Sequence, residues 1–314
     1  MTAGGEGASF KGGGAWTRRG EWLEAMPGRA ITGAADKEAA IDVWLLETAG
    51  MPLKLHARLR REGGIQWRGD RLRLALFPYR EAGIEPVWQE AAVLYEDDFC
   101  LVVHKPAGMA VHPDGSGSEA TLDHLVAGHY AVSGGGVAVR HIHRLDKDTT
   151  GPVLYAKNDY AQLVLDEDMR GKDISRLYAA IAEGIVPPAI TVIDEPIGRD
   201  RHHAARRRVS PGGQPAVTRI TGREVLRGGT SLKVELETGR THQIRVHLSH
   251  IGHPLIGDEL YGGPRWGLAG RGRQALHGES LAFRHPWSKE QIRVADPWPE
   301  DLLRLRESLG GAPL

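Results

Sequence analysis

Residues 141–151 read HIHRLDKDTTG, and the rest of the chain can be placed relative to this stretch. Upstream, residues 137–142 alternate as a half-buried strand does, and downstream residues 153–156 are apolar again. Asp146 is therefore expected in a turn between two strands. A carboxylate on a loop held between strands is well placed for chemistry, although Asp in such a turn also serves simply as a turn or capping residue.

Further motifs follow one another in a fixed order along the chain. They are HKPAG at 104–108, HRLD at 143–146 with TTG at 149–151, RLY at 176–178 and TGRTHQIRVH at 238–247. A late LH at 276–277, with Phe283, His285 and Pro286, continues the pattern. Over about residues 90–290 the chain resembles the RluA family of pseudouridine synthases. Four ordered motifs are far more specific than any one of them.

The resemblance implies a catalytic set of Asp146, Tyr178 and Arg245. The tyrosine would stack on the target base and is a candidate to accept its C5 proton, which requires that its pKa is lowered or that its own proton has a path out. Arg245 lies beside the apolar stripe of a predicted helix and would keep Asp146 ionised. The alternative is that its stem only covers apolar surface. Arg144 would fill the gap left by the flipped base.

The implied reaction breaks the N1–C1′ bond of a uridine, rotates the uracil and rejoins it through C5. The sequence leaves open whether Asp146 adds to the sugar or base as a nucleophile or removes a sugar proton. No cofactor is expected. No metal is expected either, because the His141 and His143 pair and the His202-His203 pair lack the further ligands of a convincing metal site.

RNA is the expected partner, although a formal net charge of zero argues against a simple polyanion binder. Residues 199–208, RDRHHAARRR, carry a net charge of +4 and lack hydrophobic periodicity, which predicts a mobile loop that contacts phosphates. The expected RNA-binding residues here are Arg199, Arg201, Arg206, Arg207 and Arg208. We add Arg240, in a turn before a helix, and Lys105, which could equally be a surface lysine.

The sequence pattern of residues 36–76 predicts two short helices followed by a hairpin. The pattern resembles a degenerate RNA-binding domain of the alpha-L type found in a small-ribosomal-subunit protein. Its basic residues cluster, and Lys54, Arg58 and Arg61 are expected to contact RNA phosphates. A solvated helix face is the alternative. The predicted organisation is a flexible leader at 1–35, this module, a linker at 77–86, a catalytic domain at 87–300 and a C-terminal tail at 301–314. A Gly/Ser-rich stretch at 115–120 is expected to be a flexible loop.

The predicted fold class is α+β, because the strands are frequent and short and the helices are too few for a βαβ repeat. The resemblance adds a mixed, largely antiparallel sheet of the pseudouridine-synthase type with flanking helices, beside the small N-terminal α/β module. No apolar run is long enough to span a membrane and no signal-peptide core is present, so a cytoplasmic protein is expected. We expect a monomer with Cys100 in its core.

The resemblance favours large-subunit ribosomal RNA as the substrate, with transfer RNA next. A non-catalytic RNA-binding protein of the same fold is a further alternative. A glycoside hydrolase would need two opposed carboxylates, whereas Asp146 and Asp148 are too close in one loop. Some positions depart from the family's usual residues: Thr150 (often serine), Pro152 (often leucine), Arg176 (often lysine) and Gly278 (often alanine).

Overall fold

The structure is a computed structural model that describes residues 16–113, 115, 119–267 and 272–312. Its N-terminal sheet is antiparallel, with the order β1-β2-β4-β3. The strands are β1 (Trp16–Arg19), β2 (Trp22–Ala25), β3 (Ile65–Arg68) and β4 (Arg71–Leu74). Between β2 and β3 lie α1 (Arg29–Thr32), α2 (Lys37–Val43), a π-helical turn (Trp44–Thr48) and α3 (Leu53–Arg61). The helices and hairpin predicted for residues 36–76 are therefore present.

The flexible leader predicted for residues 1–35 is wrong where the structure describes it. Strand β2 pairs with β4, so that Leu23 lies opposite Leu74 and is completely buried. With Leu23 and Ala25 as its only buried positions, this strand is too short for its alternation to be recognised within a Gly-rich stretch. Residues 1–15 lie outside the described residues, as do residues 116–118 of the loop predicted at 115–120.

The rest of the chain builds a largely antiparallel set of sheets. Its strands are β5 (Val93–Glu96), β6 (Cys100–Lys105), β7 (Gly151–Ala156), β8 (Ser175–Glu183), β9 (Val192–Asp194), β10 (Ile197–Arg199), β11 (Arg207–Val209), β12 (Val217–Leu226), β13 (Gly229–Leu236), β14 (Leu276–Arg284) and β15 (Gln291–Ala295). Six form a sheet in the order β15-β14-β8-β13-β12-β9, three form β5-β6-β7, and β10 pairs with β11. The predicted α+β fold class is confirmed.

The two larger sheets meet at the loop that carries Asp146. An isolated parallel bridge joins Thr150, just before β7, to His277 of β14. The approach is close: a Cβ added to Gly151 would lie 2.7 Å from the backbone of Gly278, and Gly151 has a φ of 139°. Only glycine fits at residue 151, because a side chain there would meet both a backbone clash and an unfavourable φ. The loop that carries Asp146 is thus fixed where the sheets touch.

The sheets are flanked by α4 (Leu122–Val132), α5 (Asp159–Gly171), α6 (Gln243–His250), a 3₁₀ turn (Glu259–Tyr261) and α7 (Glu300–Ser308). Asn158 caps α5, since its side chain accepts a hydrogen bond from the Ala161 amide at 2.8 Å. The predicted C-terminal tail is wrong over α7, whose Leu302 and Leu305 are buried in a core cluster with Ile181. The helix has only a two-leucine stripe, which is a weak signal at a chain end.

One hydrophobic core joins the N-terminal module to the predicted catalytic domain. Phe77, from the predicted linker, is buried and packs edge-to-face on Phe99 with ring centroids 5.4 Å apart. Phe99 also stacks on Trp287, and Leu23 and Leu45 belong to the same cluster. The module is therefore packed onto the catalytic domain by buried side chains. None of the helices within the described ranges is long and apolar enough to cross a membrane.

Candidate active site

A buried lysine anchors the loop that carries Asp146. The side chain of Lys105, at the end of β6, is fully buried, and its Nζ donates to three backbone carbonyl oxygens at 2.7–2.8 Å, those of Pro106, Met109 and Lys147. Burial lowers the pKa of Lys105 to about 7, although nearby carboxylates oppose this. The prediction that Lys105 binds RNA is wrong because the side chain does not reach the surface. It positions the residue that follows Asp146.

Arg273 anchors the same loop from the C-terminal part of the chain. Its guanidinium donates to the carbonyl oxygen of Asp148 at 3.0 Å and to the hydroxyl of Thr150 at 3.3 Å. It also pairs with Asp301, in the first turn of α7, at 2.9 Å. The amide of Gly278 donates to the Thr150 carbonyl at 2.7 Å. The loop is therefore fixed along most of its length, and α7 contributes to its support.

Arg245, in the first turn of α6, meets Asp146 across the cleft. Its Nη1 lies 3.2 Å from Oδ2 of Asp146, while Nε and Nη2 donate to the two carboxylate oxygens of Asp258 at 2.7 and 2.9 Å. Arg245 and Asp258 are buried, whereas the Asp146 side chain is 21% exposed. Burial alone would lower the pKa of Arg245, but Asp258 and Asp146 more than offset it and raise that pKa. Asp258 thus fixes the guanidinium that contacts Asp146, and the Arg245 stem does not merely cover apolar surface.

His242 and Tyr261 enclose this ion pair. His242 adopts a left-handed backbone conformation, with a φ of 60°, directly before α6. Its Nε2 lies 4.0 Å from Oδ2 of Asp146, and its Nδ1 shares a 2.8 Å hydrogen bond with the Tyr261 hydroxyl. Burial lowers the pKa of His242 although Asp146 opposes the shift, so the ring is neutral at pH 7. The Tyr261 ring lies 5.0 Å from the Arg245 guanidinium.

Tyr178 lies on β8 and lines the same cleft as Asp146 and Arg245. Its side chain is buried, and burial raises the pKa of the phenol; Arg176 opposes this rise and Asp146 adds to it. The phenol is therefore protonated at neutral pH. A tyrosine that acts as a general base needs a lowered pKa, whereas the pKa of Tyr178 is raised.

The cleft has a volume of about 500 Å³ and a basic lining. Basic side chains that line it are Arg144, Arg170, Lys172, Arg176 and Arg240. Arg144 is exposed, next to Leu145 and Asp146, while Nε of Arg240 donates to the Pro215 carbonyl at 3.0 Å. A pocket of this size with a few convergent polar groups is typical of a small-ligand or nucleotide site. Within the described residues, no three His, Cys, Asp or Glu side chains lie together as metal ligands would.

The basic segment 199–208 is a hairpin, so the prediction of an irregular mobile loop is wrong at its two ends. Strand β10 pairs with β11, with Arg199 opposite Arg207. The amide of Arg207 donates to the Tyr261 hydroxyl at 2.9 Å, which ties the hairpin to the catalytic cleft. The pairing was missed because three-residue strands carry almost no periodicity. Exposed side chains at this end of the hairpin include Arg199, Arg201 and Arg208, with Arg206 and Arg207 partly buried.

The basic residues predicted to bind RNA in the N-terminal module differ in their surroundings. Arg58 pairs with Asp159 of α5 at 2.6 Å, and Arg61 pairs with its neighbour Glu62 at 3.2 Å on the surface. Lys54 is exposed. Other arginines of the cluster are engaged by acids of the module: Arg60 by Glu38 and Asp42, and Arg71 and Arg73 by Glu24. Much of the cluster's charge is therefore compensated within the protein.

The sequence reading missed three residues of the site. Asp258, Tyr261 and Arg273 lie outside the motifs that carried the resemblance. The signal that was available is the string GDELYG at 257–262, in which an acid and an aromatic residue are framed by glycines between predicted elements. Such a string shows a turn, but it does not show that the turn folds back onto Arg245.

Comparisons with known proteins show the family of this chain. The family model described as RNA pseudouridylate synthase matches residues 99–250. The uncharacterized RNA pseudouridine synthase YhcT of Bacillus subtilis is 40% identical over 288 residues, covering 91% of this chain and 92% of that protein. Ribosomal large subunit pseudouridine synthase D of Xanthomonas campestris is 43% identical over 232 residues, covering 69% of each.

Among solved structures, human RNA Pseudouridylate Synthase Domain Containing 4 is similar in fold. The TM-score is 0.57 with 24% identity, and the match covers 71% of this chain and 95% of that one. At this identity the likeness concerns the fold alone. Together with the close relatives and the paired Asp146 and Arg245, these findings identify the chain as a member of the RluA family of RNA pseudouridine synthases.

Proposed function

We propose that the protein isomerises specific uridines of large-subunit ribosomal RNA to pseudouridine, with Asp146 as the catalytic residue. The observation that carries the proposal is the Asp146 carboxylate, which faces a basic cleft and is held by a buried arginine. Relatives that are 37–43% identical are named ribosomal large subunit pseudouridine synthase D, which favours this RNA over transfer RNA. We further propose that the protein acts in the cytoplasm as a monomer.

Asp146 must be ionised, whether it attacks as a nucleophile or removes a sugar proton. Arg245 favours the ionised form because it brings a fixed positive charge within 3.2 Å of one carboxylate oxygen. Since the arginine is itself fixed by Asp258, Asp146 is oriented before the substrate arrives. Both chemical routes use this arrangement.

Tyr178 is proposed to stack on the uracil. Its buried ring and raised pKa suit a neutral, flat contact surface for the detached base. The same raised pKa argues against Tyr178 as the acceptor of the C5 proton, because the phenol would first have to lose its own proton. Over the whole reaction C5 loses a proton and N1 gains one, so the uracil keeps its composition.

The RNA is proposed to reach the cleft with its target nucleotide flipped out. Arg144 is exposed beside the catalytic aspartate, where it can occupy the gap left in the stack. Phosphates on either side of the target would meet Arg240 and the arginines of the β10–β11 hairpin, the latter tied to the cleft through Tyr261. These contacts give affinity and register, and they carry no sequence information themselves.

The proposal is tested by incubating purified protein with total RNA from a strain that lacks the gene, and mapping pseudouridine in ribosomal and transfer RNAs. We expect a site in large-subunit ribosomal RNA that Asp146→Asn does not restore. Asp148→Asn is the matched control, since it makes the same change two residues away in the same loop, and it should retain the activity. If no site is restored while the protein still binds RNA, the non-catalytic alternative gains support. A site in transfer RNA would correct the substrate.

A further inference from the structure

Three arginines converge on Asp159, the first residue of α5. Nη2 of Arg58 lies 2.6 Å from Oδ2 of Asp159, and Nη2 of Arg140 lies 2.6 Å from Oδ1. Nη2 of Arg80 lies 3.6 Å from Oδ2, which is longer than a hydrogen bond. Arg58 comes from α3, Arg80 from the predicted linker, and Arg140 from the segment that leads into residues 141–151. We call Arg58, Arg80, Arg140 and Asp159 the arginine cluster.

The arginine cluster is not neutral. Three guanidinium groups against one carboxylate leave a net charge of +2. Burial raises the pKa of Asp159, but the hydrogen bond from Arg58 and the charges of Arg140 and Arg80 lower it further, so the carboxylate stays ionised. Each guanidinium has about five N–H donors and a carboxylate offers about four acceptor positions. Most of the donors of the cluster are therefore not used by Asp159.

The surroundings of the arginine cluster are accessible. The side chains of Arg58 and Arg80 are 35% and 45% exposed. A groove of about 500 Å³ between α3 and α5 has an apolar floor of Leu55, Ala57 and Leu163, with Lys54, Arg58 and Arg61 along it. Tyr79, next to Arg80 in the chain, is 66% exposed. Exposed aromatic rings beside arginines are the combination that nucleic-acid surfaces use, because the ring stacks on bases while the arginines contact phosphates.

The arginine cluster lies one strand length away from the loop that carries Asp146. Strand β7 runs from the catalytic loop to the start of α5, and the Arg140 carbonyl pairs with its last residue, Ala156. Five steps along a strand span about 17 Å. Duplex RNA or a folded single strand that enters the cleft can reach across this distance, because it is shorter than one helical turn of a duplex.

We propose that the arginine cluster, with Tyr79 and the basic groove beside it, binds the phosphate backbone of the substrate RNA outside the catalytic cleft. The inference rests on the proposed function in taking RNA as the ligand. The competing role is purely structural: the pair between Arg58 and Asp159 would only join the N-terminal module to α5. The two roles predict different effects of removing the negative charge of Asp159. An RNA-binding cluster would gain affinity for phosphate, whereas a purely structural pair would only lose a stabilising contact.

The test measures binding of the full-length protein to a fluorescent RNA hairpin of about 20 base pairs, or about two helical turns, with a short uridine tail, over a series of salt concentrations. Arg80→Gln should weaken binding several-fold and reduce the slope of log Kd against log salt by about 1. Asp159→Asn should tighten binding. Arg304→Gln, which removes an exposed arginine of α7 paired with Glu300, is the matched control and should change neither quantity.

Unchanged binding in both Arg80→Gln and Asp159→Asn would overturn the proposal, as would weaker binding in Asp159→Asn with an unchanged melting temperature. Preferential binding of the cluster to anionic lipid vesicles or to an acidic protein, lost in Arg80→Gln while RNA binding is kept, would overturn it as well. The hairpin needs no modifiable uridine, because phosphate contacts are independent of sequence. A failure of the proposed function would instead appear as absence of pseudouridine with the unmutated protein, and it would leave this comparison interpretable.

Discussion

The catalytic cleft and the N-terminal module both depend on arginines paired with acids, but the pairs differ in burial and in what they connect. In the cleft, the side chain of Arg245 is 8% exposed and bridges two carboxylates that belong to different loops. In the module, Arg60 is 27% exposed and pairs with Glu38 and Asp42 of the neighbouring helix. The first arrangement holds a carboxylate that lines the cleft, and the second compensates charge at a surface. The same residue type therefore differs in its setting according to its partners.

The largest effect is expected from breaking the buried pair of the cleft. Asp258→Asn leaves the Arg245 guanidinium with one acceptor in place of a bidentate carboxylate, and it should lower the free energy of unfolding by about 3 kcal/mol. Because Arg245 would no longer be fixed against Asp146, the single-turnover rate of pseudouridine formation should fall by about 100-fold or more. Chemical denaturation and a rapid-quench assay measure the two effects.

The matched change in the module is Asp42→Asn, which removes one of the two carboxylates beside Arg60. Because the pair is partly exposed, the expected loss is about 1 kcal/mol or less, with an unchanged catalytic rate. Equal losses of stability in the two variants, or full activity in Asp258→Asn, would remove the contrast between the regions.

A second prediction compares two lysines. Lys105→Met leaves three partly buried carbonyl oxygens without their donor, and at about 1 kcal/mol for each unpaired group it should destabilise the protein by about 3 kcal/mol. Lys54→Met, on the exposed face of α3, should stay within about 0.5 kcal/mol of the unmutated protein. Thermal unfolding of both variants checks this. A mild effect of Lys105→Met would mean that the carbonyls find other donors and that the loop is held mainly by Arg273.

The sequence predicted the cleft better than the module for a physical reason. Asp146, Tyr178 and Arg245 stand in short motifs that carry the resemblance to the family, so that a single sequence displays them. The ion pairs of the module's arginines depend on acids that are distant in sequence: Glu24 lies 47 residues from Arg71, and Asp159 lies 101 residues from Arg58. A count of basic residues in a window cannot include such partners.

Separation in sequence also explains why some residues of the site were not predicted. Asp258 and Arg273 act through contacts that only the folded chain creates, and α7 supports the catalytic loop from the far end of the sequence. The fold class followed from strand frequency and the resemblance. The short strands β1, β2, β10 and β11 did not, since three or four residues are too few for a period to be read. Buried Lys105 was misassigned because burial cannot be inferred from residue type alone.

A third prediction concerns two departures from the family's usual residues, Pro152 and Gly278. They lie against each other: a Cβ on Gly278 would come within 3.0 Å of Cδ of Pro152. Gly278→Ala should therefore cost about 2 kcal/mol through overpacking beside the catalytic loop. Pro152→Leu in the same chain removes the clashing ring and should recover a large part of the loss. The coupling is measured by a double-mutant cycle of unfolding free energies.

The control for this pair is Gly212→Ala, at an exposed glycine where an added Cβ meets nothing within 4 Å. It should leave the free energy of unfolding nearly unchanged. Additive effects of Gly278→Ala and Pro152→Leu would show that the two departures are independent, and that the contact between the sheets tolerates an extra methyl group.

The smallest effect is a dependence of the free energy of unfolding on pH that arises from the buried Lys105. Burial lowers the pKa of Lys105 to about 7, whereas a lysine in the unfolded chain has a pKa of about 10.4. Between these values the unfolded state binds more protons, so the free energy of unfolding rises with pH, by about 1 kcal/mol for each pH unit above 7. Below pH 7 both states are protonated and this contribution is flat. Subtracting the free energy of unfolding of Lys105→Met at each pH isolates the contribution of Lys105. The arginine pairs of the module stay charged over this pH range. A neutral amine has only two N–H groups for three carbonyl oxygens. If the difference in the free energy of unfolding between the unmutated protein and Lys105→Met stays constant from pH 7 to 9, these carbonyls keep Lys105 charged.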